Sequence, residues 1–481
     1  MRLLAPVLTI AACALAADSA HWTRWRGPNQ NGVAPGDVPT EWSDSKNIAW
    51  KATIPGRGHS SPVIYGDVIY LTTAVPQGDV GETSEARPPR RPEGPPPDRA
   101  AGGAPPDGRP PGGPPPGGPG GPEGRRRGPG GPGGGGGRGP GGGSAAGVEH
   151  KLLLMAINRQ SGKILWERSP RTVKPHEGYH RMYGSFASNS PVTDGKHIWA
   201  FYGQYGIFCY TLAGDLVWKK DDFPQMSMRN AFGEGTATVI EDDRLILNFD
   251  TENDSFLLVL DKSTGKQIWR QSRDEPSGWS QPLVVKVAGR KQIIVSATRK
   301  VRAYDLESGK LIWECAGLGA NVIPAPVSDG KVVYVMSGFR DPNLMAIQLG
   351  REGDLTGTDA ILWSNKRGNS YTASPVLADG KLYFVTDSGM VSCLDAKTGE
   401  PHYLQQRLPK SYNIKASPIA VNGKLYVSTE GEDVTVLKMG DKFEVLATNT
   451  LADQMFIASP AVAEGSLYLR GQNTLYCIRQ R

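Results

Sequence analysis

The sequence predicts an all-β fold: an eight-bladed β-propeller with four-stranded antiparallel blades, its ring closed by an N-terminal strand. Three observations carry this. One phrase recurs, as "AINRQSGKILWE" (Ala156 to Glu167), "VLDKSTGKQIWR" (Val259 to Arg270) and "AYDLESGKLIWE" (Ala303 to Glu314). A second phrase, Ser-Pro followed by a hairpin, recurs at a period in the forties. The final copy is incomplete, and a fragment near the N-terminus supplies what it lacks.

From the N-terminus, "MRLLAPVLTIAACALAADSA" joins basic Arg2, an apolar run from Leu3 to Leu15 and the small-x-small triplet Ala14-Leu15-Ala16. That is the pattern of an export signal over residues 1–17. "IAAC", ending at Cys13, also fits a lipoprotein processing site, so periplasmic, secreted and lipid-anchored forms stand as alternatives. Residues 18–45 form a capping segment, and the repeats occupy 46–481. No later apolar run is long enough for a membrane span, so no transmembrane segment is expected after signal removal.

Each repeat opens with a hairpin. In "SPVLADGKLYFV" (Ser374 to Val385) and "SPIAVNGKLYV" (Ser417 to Val427), Asp379-Gly380 and Asn422-Gly423 stand where a type I′ turn needs positive φ. The second phrase follows: an apolar strand, a D-x-x-[ST]-G turn, and a strand carrying Trp. The Pro of the first phrase falls at Pro62, Pro191, Pro282, Pro326, Pro375, Pro418 and Pro460, with Ala237 taking its slot once. From Pro191 onward the spacings are 46, 45, 44, 49, 43 and 42 residues. Four strands at that period make a propeller blade, and there are eight.

The last repeat, "SPAVAEGSLYLRGQNTLYCIRQR", ends after three strands. "NIAWKATIP" (Asn47 to Pro55) reads like the fourth strands elsewhere, so Trp50 is expected to close the ring against the strand of Tyr476. Trp50, Trp166, Trp218, Trp269, Trp313 and Trp363 share one slot, and Tyr403 fills it in another blade. These rings are expected to be structural wedges between blades.

Residues 82–147 contain no Val, Ile, Leu, Met, Phe, Trp or Tyr; Pro, Gly and Arg dominate. Such a segment buries too little apolar surface to offset its ordering entropy, so a disordered insertion within blade 1 is expected. It is not collagen, because no strict Gly-x-y register holds. Of the net charge of +6, this segment contributes +3 and Arg2 +1, leaving +2 for the body. A nearly balanced body argues against nucleic acid as a partner.

Cys209, Cys393 and Cys477 occupy a small third-strand slot held by Ala or Val in other repeats, and Cys315 has no evident mate. Metal-binding cysteine spacing, EF-hand loops and serine elbows are absent. "NFDTENDS" (Asn248 to Ser255) is oxygen-rich; it reads as a solvated hairpin tip, with a hard-cation loop as the alternative. Three residues before each repeat marker stand His59, Ser188, Glu234, Trp279, Ile323, Thr372, Lys415 and Ile457, and in this architecture they ring one channel mouth. Arg57, Asn321, Tyr371 and Asn413 lie just upstream of that ring. The candidate ligand site is therefore Arg57, His59, Glu234, Trp279, Asn321, Tyr371, Asn413 and Lys415, suited to a small anionic or carbohydrate ligand. The plainer reading is a wet funnel of mutually paired polar groups. A second excursion, "RTVKPHEGYHRMYGSFA" (Arg171 to Ala187), carries His176 and His180 where they could lid that mouth.

The phrase A-x-[DN]-x-x-x-G-K-x-x-W resembles the tryptophan-docking motif of pyrroloquinoline-quinone-type (PQQ) propellers. Ala156, Asn158, Gly162, Lys163 and Trp166 match it, as do Ala303, Asp305, Gly309, Lys310 and Trp313. "WTRWRGPNQNG" and "GRGHSSPV" resemble an exported bacterial subgroup of PQQ-binding-like repeat proteins, and similar repeats form BamB-like propellers. The resemblance runs from about Trp42 to the C-terminus outside residues 82–147. It implies either a non-catalytic binding or assembly scaffold of the envelope or a quinoprotein dehydrogenase. The dehydrogenases add an adjacent cysteine pair beside the quinone, a Ca²⁺ site and a catalytic Asp. This chain has no adjacent cysteines. The reading is thus a monomeric scaffold engaging an envelope or secreted protein, or a small-molecule or carbohydrate ligand. No cofactor is firmly expected, PQQ with Ca²⁺ is the alternative, and no catalytic residue or metal ligand is assigned.

Overall fold

The computed structural model describes residues 20–78 and 145–480. The expected export signal, Cys13 and nearly all of the 82–147 insertion lie outside the described residues. Ala145 to Gly147, at the end of that segment, form a turn whose Gly147 N–H donates to Pro175 O at 2.7 Å.

Eight antiparallel sheets follow one another along the chain. Blade 1 runs from Val63–Tyr65 to Ile164–Val173, blade 2 from Val192–Thr193 to Leu216–Lys220, and blade 3 from Val239–Glu241 to Gln267–Arg273. Blade 4 runs from Leu283–Val287 to Leu311–Cys315, blade 5 from Val327–Ser328 to Ile361–Asn365, and blade 6 from Val376–Ala378 to Pro401–Arg407. Blade 7 runs from Ile419–Val421 to Glu444–Thr450. Blade 8 is built from Ala461–Ala463, Ser466–Arg470 and Thr474–Arg479, and its outer strand is Ile48–Thr53. Trp50 pairs with Cys477 and Lys51 with Tyr476, so the two ends of the chain share one sheet.

The hairpins have the geometry their sequences require: Asp379 and Gly380 sit at φ 50° and 71°, Asn422 and Gly423 at 46° and 68°. The second turn is held by its first residue. Asp261, Asp305, Asp395 and Asn158 each accept through Oδ1 from the N–H three residues on, at 2.8–2.9 Å. The aromatic slot then faces a small partner in register: Trp166 pairs with Ala156, Trp218 with Cys209, Trp269 with Val259, Trp363 with Ala346 and Tyr403 with Cys393. A register shift adjoins that pair each time, which bends the outer strand and turns the ring outward.

The ring lands on the next blade's turn. Indole Nε1 of Trp50 donates to Arg159 O, Trp166 to Leu212 O, Trp218 to Lys262 O, Trp269 to Leu306 O and Trp363 to Ala396 O, at 2.9–3.2 Å. The contact is close enough to dictate glycine. A Cβ on Gly162 would stand 2.6 Å from the Trp50 ring, and one on Gly265 2.5 Å from Trp218. Trp313 differs. It is fully buried, its Nε1 meets Gln292 Oε1 of its own blade, and the short strand Gly353–Asp354 covers it from outside in parallel. Blade 4 thus has a fifth strand, as has blade 7, where Val33–Ala34 pairs in parallel with the inner strand.

The Ser of Ser-Pro links the blades at the axis. Ala325 N–H donates to Ser374 Oγ, Ser374 to Ser417, Ser417 to Ser459, Ser459 to Ser61 and Ser61 to Ser190, all at 2.8–3.0 Å. Each of these steps crosses to the following blade, and the run passes through the closure between blades 8 and 1.

The capping segment does more than enter the ring. Trp22 pairs with Ile64 of blade 1, Thr193 N–H of blade 2 donates to Thr23 O, and Arg24 Nη1 reaches Ile240 O of blade 3. Arg26 Nη2 donates to Asn31 O and to Pro375 O of blade 6, and Gly32 O accepts from Ala420 N–H of blade 7. Residues 22–32 therefore bridge the inner strands of five blades as a plug, before the chain passes Trp42 and enters blade 8.

"NFDTENDS" is a solvated tip at its centre and buried at its flank. Glu252, Asn253 and Asp254 are exposed, but Asp250 is buried. Its carboxylate takes Arg273 Nε at 2.7 Å and Nη2 at 3.1 Å, and Asn248 Nδ2 at 3.1 Å. A carboxylate in so dry a place persists because the guanidinium matches it in charge and geometry.

Candidate functional site

The eight positions three before the repeat markers converge on one cavity of about 740 Å³ at the axis. His59, Ser188, Glu234, Trp279, Ile323, Thr372, Lys415 and Ile457 all line it, because each inner strand enters the ring at the same depth. Of the residues just upstream, Asn321 and Tyr371 also line it. Arg57 and Asn413 do not. Arg57 stands behind the wall, donating to Gly184 O, Arg181 O and Met182 O at 2.7–2.9 Å with its guanidinium over Tyr179. Asn413 holds the N–H of Glu430 through its carbonyl at 2.7 Å.

The excursion after blade 1 covers one side of the mouth. His180 stacks on Tyr183 with centroids 4.6 Å apart, and both line the cavity. His180 N–H donates to Phe232 O, and Lys415 Nζ sits 4.6 Å over the Tyr183 ring. His176 is exposed and outside the cavity lining. At the other end the cavity stops on Trp25 of the plug, whose Nε1 donates to Ser459 Oγ at 3.2 Å.

Aromatic faces dominate the wall. Trp279 is fixed by Nε1 to Gly233 O at 2.8 Å and tilts against Phe232, while Tyr371 packs on Phe339 at 5.1 Å. Charges are placed between them. Lys415 Nζ donates to Asp387 Oδ2 at 2.6 Å, and the other Asp387 oxygen takes the N–H groups of Tyr371 and Thr372. Arg229 reaches Asn321 Oδ1 at 3.3 Å and Glu252 at 3.4 Å. Burial is the main cause that pushes Glu234 up to about 7, even though its oxygens accept from Gln204 N–H at 3.0 and 3.1 Å. Burial also holds His59 well below its ordinary range, with Arg57 and Arg470 nearby as further causes, so its imidazole is neutral.

Sequence reasoning missed the floor and most of the cations. Trp25 and Arg26 lie in a segment without periodicity, and their place is set by contacts hundreds of residues away. The unusual density of Trp and Arg in "WTRWRGP" was the available signal. The free cysteines Cys209, Cys315, Cys393 and Cys477 are all buried within blades and do not line the cavity. Among the described residues no group of three or more His, Cys, Asp or Glu side chains is placed to hold a metal ion. No helix there is long and apolar enough to cross a membrane.

The fold is shared with enzymes. The chain superposes on the europium-containing methanol dehydrogenase with a TM-score of 0.58 and 9% identity, over 96% of this chain and 92% of that one. It superposes on the quinohemoprotein alcohol dehydrogenase from Comamonas testosteroni with a TM-score of 0.57 and 8% identity, over 98% and 82%. At such identities the likeness concerns the fold. By sequence, the chain is 26% identical over 174 residues to the outer membrane protein assembly factor BamB of Moranella endobia (strain PCIT). That alignment covers 32% of this chain and 40% of the relative, so the match spans less than half of the curated protein's length. The family model described as outer membrane protein assembly factor BamB matches residues 150–412 and 351–445. That is more than half of the chain, and this PQQ-repeat β-propeller belongs to that family.

Proposed function

We propose that this chain is a non-catalytic binding and assembly scaffold of the bacterial cell envelope, exported by its N-terminal signal to the periplasm or the cell exterior. One observation carries the reading: Asp387 and Glu234, the two carboxylates against the funnel's aromatic and cationic walls, are each held by protein groups. Asp387 is spent on Lys415 and two backbone N–H groups, and Glu234 on the Gln204 backbone. Membership of the outer membrane protein assembly factor family, and the likeness to its relative in Moranella endobia, support an envelope role with protein partners.

The quinone-and-calcium unit that the dehydrogenase likeness implies does not fit these residues. Its adjacent cysteine pair has no counterpart, since the described cysteines are scattered through the interiors of separate blades. Its acidic donors would have to be taken from Lys415 and from the Gln204 amide. No reaction step is assigned to such a group.

Two measurements test the proposal. Purified full-length protein titrated with PQQ and Ca²⁺ is expected to show no stoichiometric visible spectrum and no dye-linked oxidation of alcohols or sugars. Tight uptake with turnover would overturn the scaffold reading. In the native host, the chain is expected to recover a defined envelope protein by reciprocal capture, with and without residues 82–147. A second reading, favoured by the aromatic funnel itself, is that scaffold work includes holding a carbohydrate or anion at the mouth.

A further inference from the structure

The serines that link the blades leave an unbalanced account of hydrogen bonds at the foot of the funnel. Ser61, Ser190, Ser417 and Ser459 all line the cavity. Each accepts a backbone N–H from the preceding blade through Oγ, and Ser459 also accepts from Trp25 Nε1. A hydroxyl that accepts still has one O–H to donate. Among the described residues none of these four O–H groups has a protein acceptor. These O–H groups face the funnel together, so the ring favours an occupant rich in acceptors.

The field at that place has the matching sign. Arg26 lies under the floor, its guanidinium 5.7 Å from the Trp25 ring, fully buried, with backbone carbonyls as partners and Nη1 unpaired. Burial pulls it down to about 9, which still leaves it charged at neutral pH. Arg470, equally buried, holds Ser60 O and Thr72 O behind His59, with Nε and Nη2 unpaired. Neither arginine has a carboxylate partner among the described residues. Arg229, Arg340 and Lys415 line the cavity above; Lys415 is paired with Asp387 and Arg229 with Glu252, so the unneutralised buried charge is that of the two arginines below. Buried cations without counter-ions are costly, and an anion at the foot of the chamber offsets that cost for Arg26 and Arg470.

We infer that the funnel is a blind chamber for an anionic saccharide, whose oxyanion sits on the serine ring over Trp25 and whose sugar rings lie against Trp279 and Tyr371. The inference rests on the binding-scaffold reading above and names the ligand class of that site. The volume of about 740 Å³ is within the roughly 300–1,000 Å³ of small-molecule sites. The aromatic faces suit the apolar faces of a pyranose, and the fixed hydroxyls suit an acid group. Tyr183 and His180 border the mouth, and Trp25 of the plug borders the other end.

The test is calorimetric titration of the full chain with digalacturonate, glucose 6-phosphate, maltose, inorganic phosphate and PQQ. An acidic sugar is expected to bind at least about tenfold more tightly than maltose and than inorganic phosphate. Lys415→Gln should weaken that binding about tenfold and Trp279→Leu by a similar factor, each in a variant that still melts cooperatively. Ser417→Ala, which also loses an interblade bond, should weaken binding of the acid more than of maltose; Lys415→Gln decides the matter if that variant does not fold. Maltose binding as tightly as the acids would overturn the anion selectivity and leave a neutral sugar site. Phosphate binding as tightly as the sugar phosphate would overturn the role of the aromatic walls. Binding of no saccharide at all would overturn this inference alone, because the scaffold reading stands or falls on capture of an envelope protein. Stoichiometric PQQ uptake with turnover would overturn both.

Discussion

At the scale of single residues, the recurring phrase is a docking device, and its glycine matters as much as its tryptophan. Gly265 has φ 70°, and a Cβ there would press on the Trp218 ring at 2.5 Å. Gly265→Ala should cost roughly 1–2 kcal/mol for the left-handed backbone and about 1–3 kcal/mol more for the clash. In a Trp218→Ala background only the first cost remains. A double-mutant cycle by urea unfolding should return a coupling of about 1–3 kcal/mol, and a coupling near zero would mean that the indole does not dock on that turn. Glu234 makes a different residue-scale prediction. Its ordinary value is 4.5 and burial raises it to about 7 in the folded chain. Glu177 and Tyr205 lie close enough to couple to it electrostatically. Between those two values the folded protein keeps a proton that the unfolded chain releases. The stability this group contributes therefore falls as pH rises from 4.5 to about 7 and stays low above. Glu234→Gln, which can still accept from Gln204, should raise the melting temperature at pH 8 more than at pH 5. An equal shift at both values would show that Glu234 ionises freely.

At the scale of the element, the Ser-Pro marker has a reason beyond the turn it precedes. Each Oγ accepts a buried N–H from the neighbouring blade, so Ser417→Ala strands the Ser374 amide and should cost about 1–3 kcal/mol by chemical denaturation. A neutral result would mean that a neighbouring oxygen takes its place. The marker also explains why the mouth was legible in the sequence. A repeat fixes register, register fixes depth, and residues such as Trp279 and Lys415 reach one cavity because they stand at one offset from it. What the repeat does not encode could not be read this way. Trp25 and Arg26 belong to no strand, and their partners in blades 6 and 8 are more than three hundred residues away. Asp250 looked solvated because its guanidinium, Arg273, is one strand over and not beside it in the chain. Trp313 carries the full phrase, yet the insertion that brings Gly353–Asp354 across it removes the turn its counterparts land on. Periodic signals report what neighbours in the ring share, and the departures come from segments each used once.

At the scale of the whole molecule, the N-terminal segment does two jobs. Residues 22–32 stop the axial channel, and Ile48–Thr53 completes blade 8. Closure at that seam is dense. Trp50 caps Arg159 O, Arg159 pairs with Glu464 at 2.5 Å and Asp67 at 3.0 Å, and Arg470 clamps Ser60 and Thr72. Without the N-terminal strand, the edge from Thr474 to Arg479 would present unpaired backbone and a buried apolar face to water, an invitation to aggregate. A chain starting at Pro55 should therefore lose most of the roughly 5–15 kcal/mol that stabilises a domain, and should unfold well below the full-length protein. Supplying residues 20–54 as a separate peptide should restore the transition, because the seam is held by pairing and docking that need no covalent link to Pro55. The restored stability should rise with peptide concentration, as it does for any ligand that binds only the folded state. A peptide carrying Trp50→Ala should be a much weaker rescuer, since it lacks the ring that Gly162 receives. Should the truncated chain melt like the intact one, the ring would be holding itself shut through blades 1 and 8 alone, and the N-terminal strand would be an ornament on a seam that the Arg470 clamp and the serine bonds already seal.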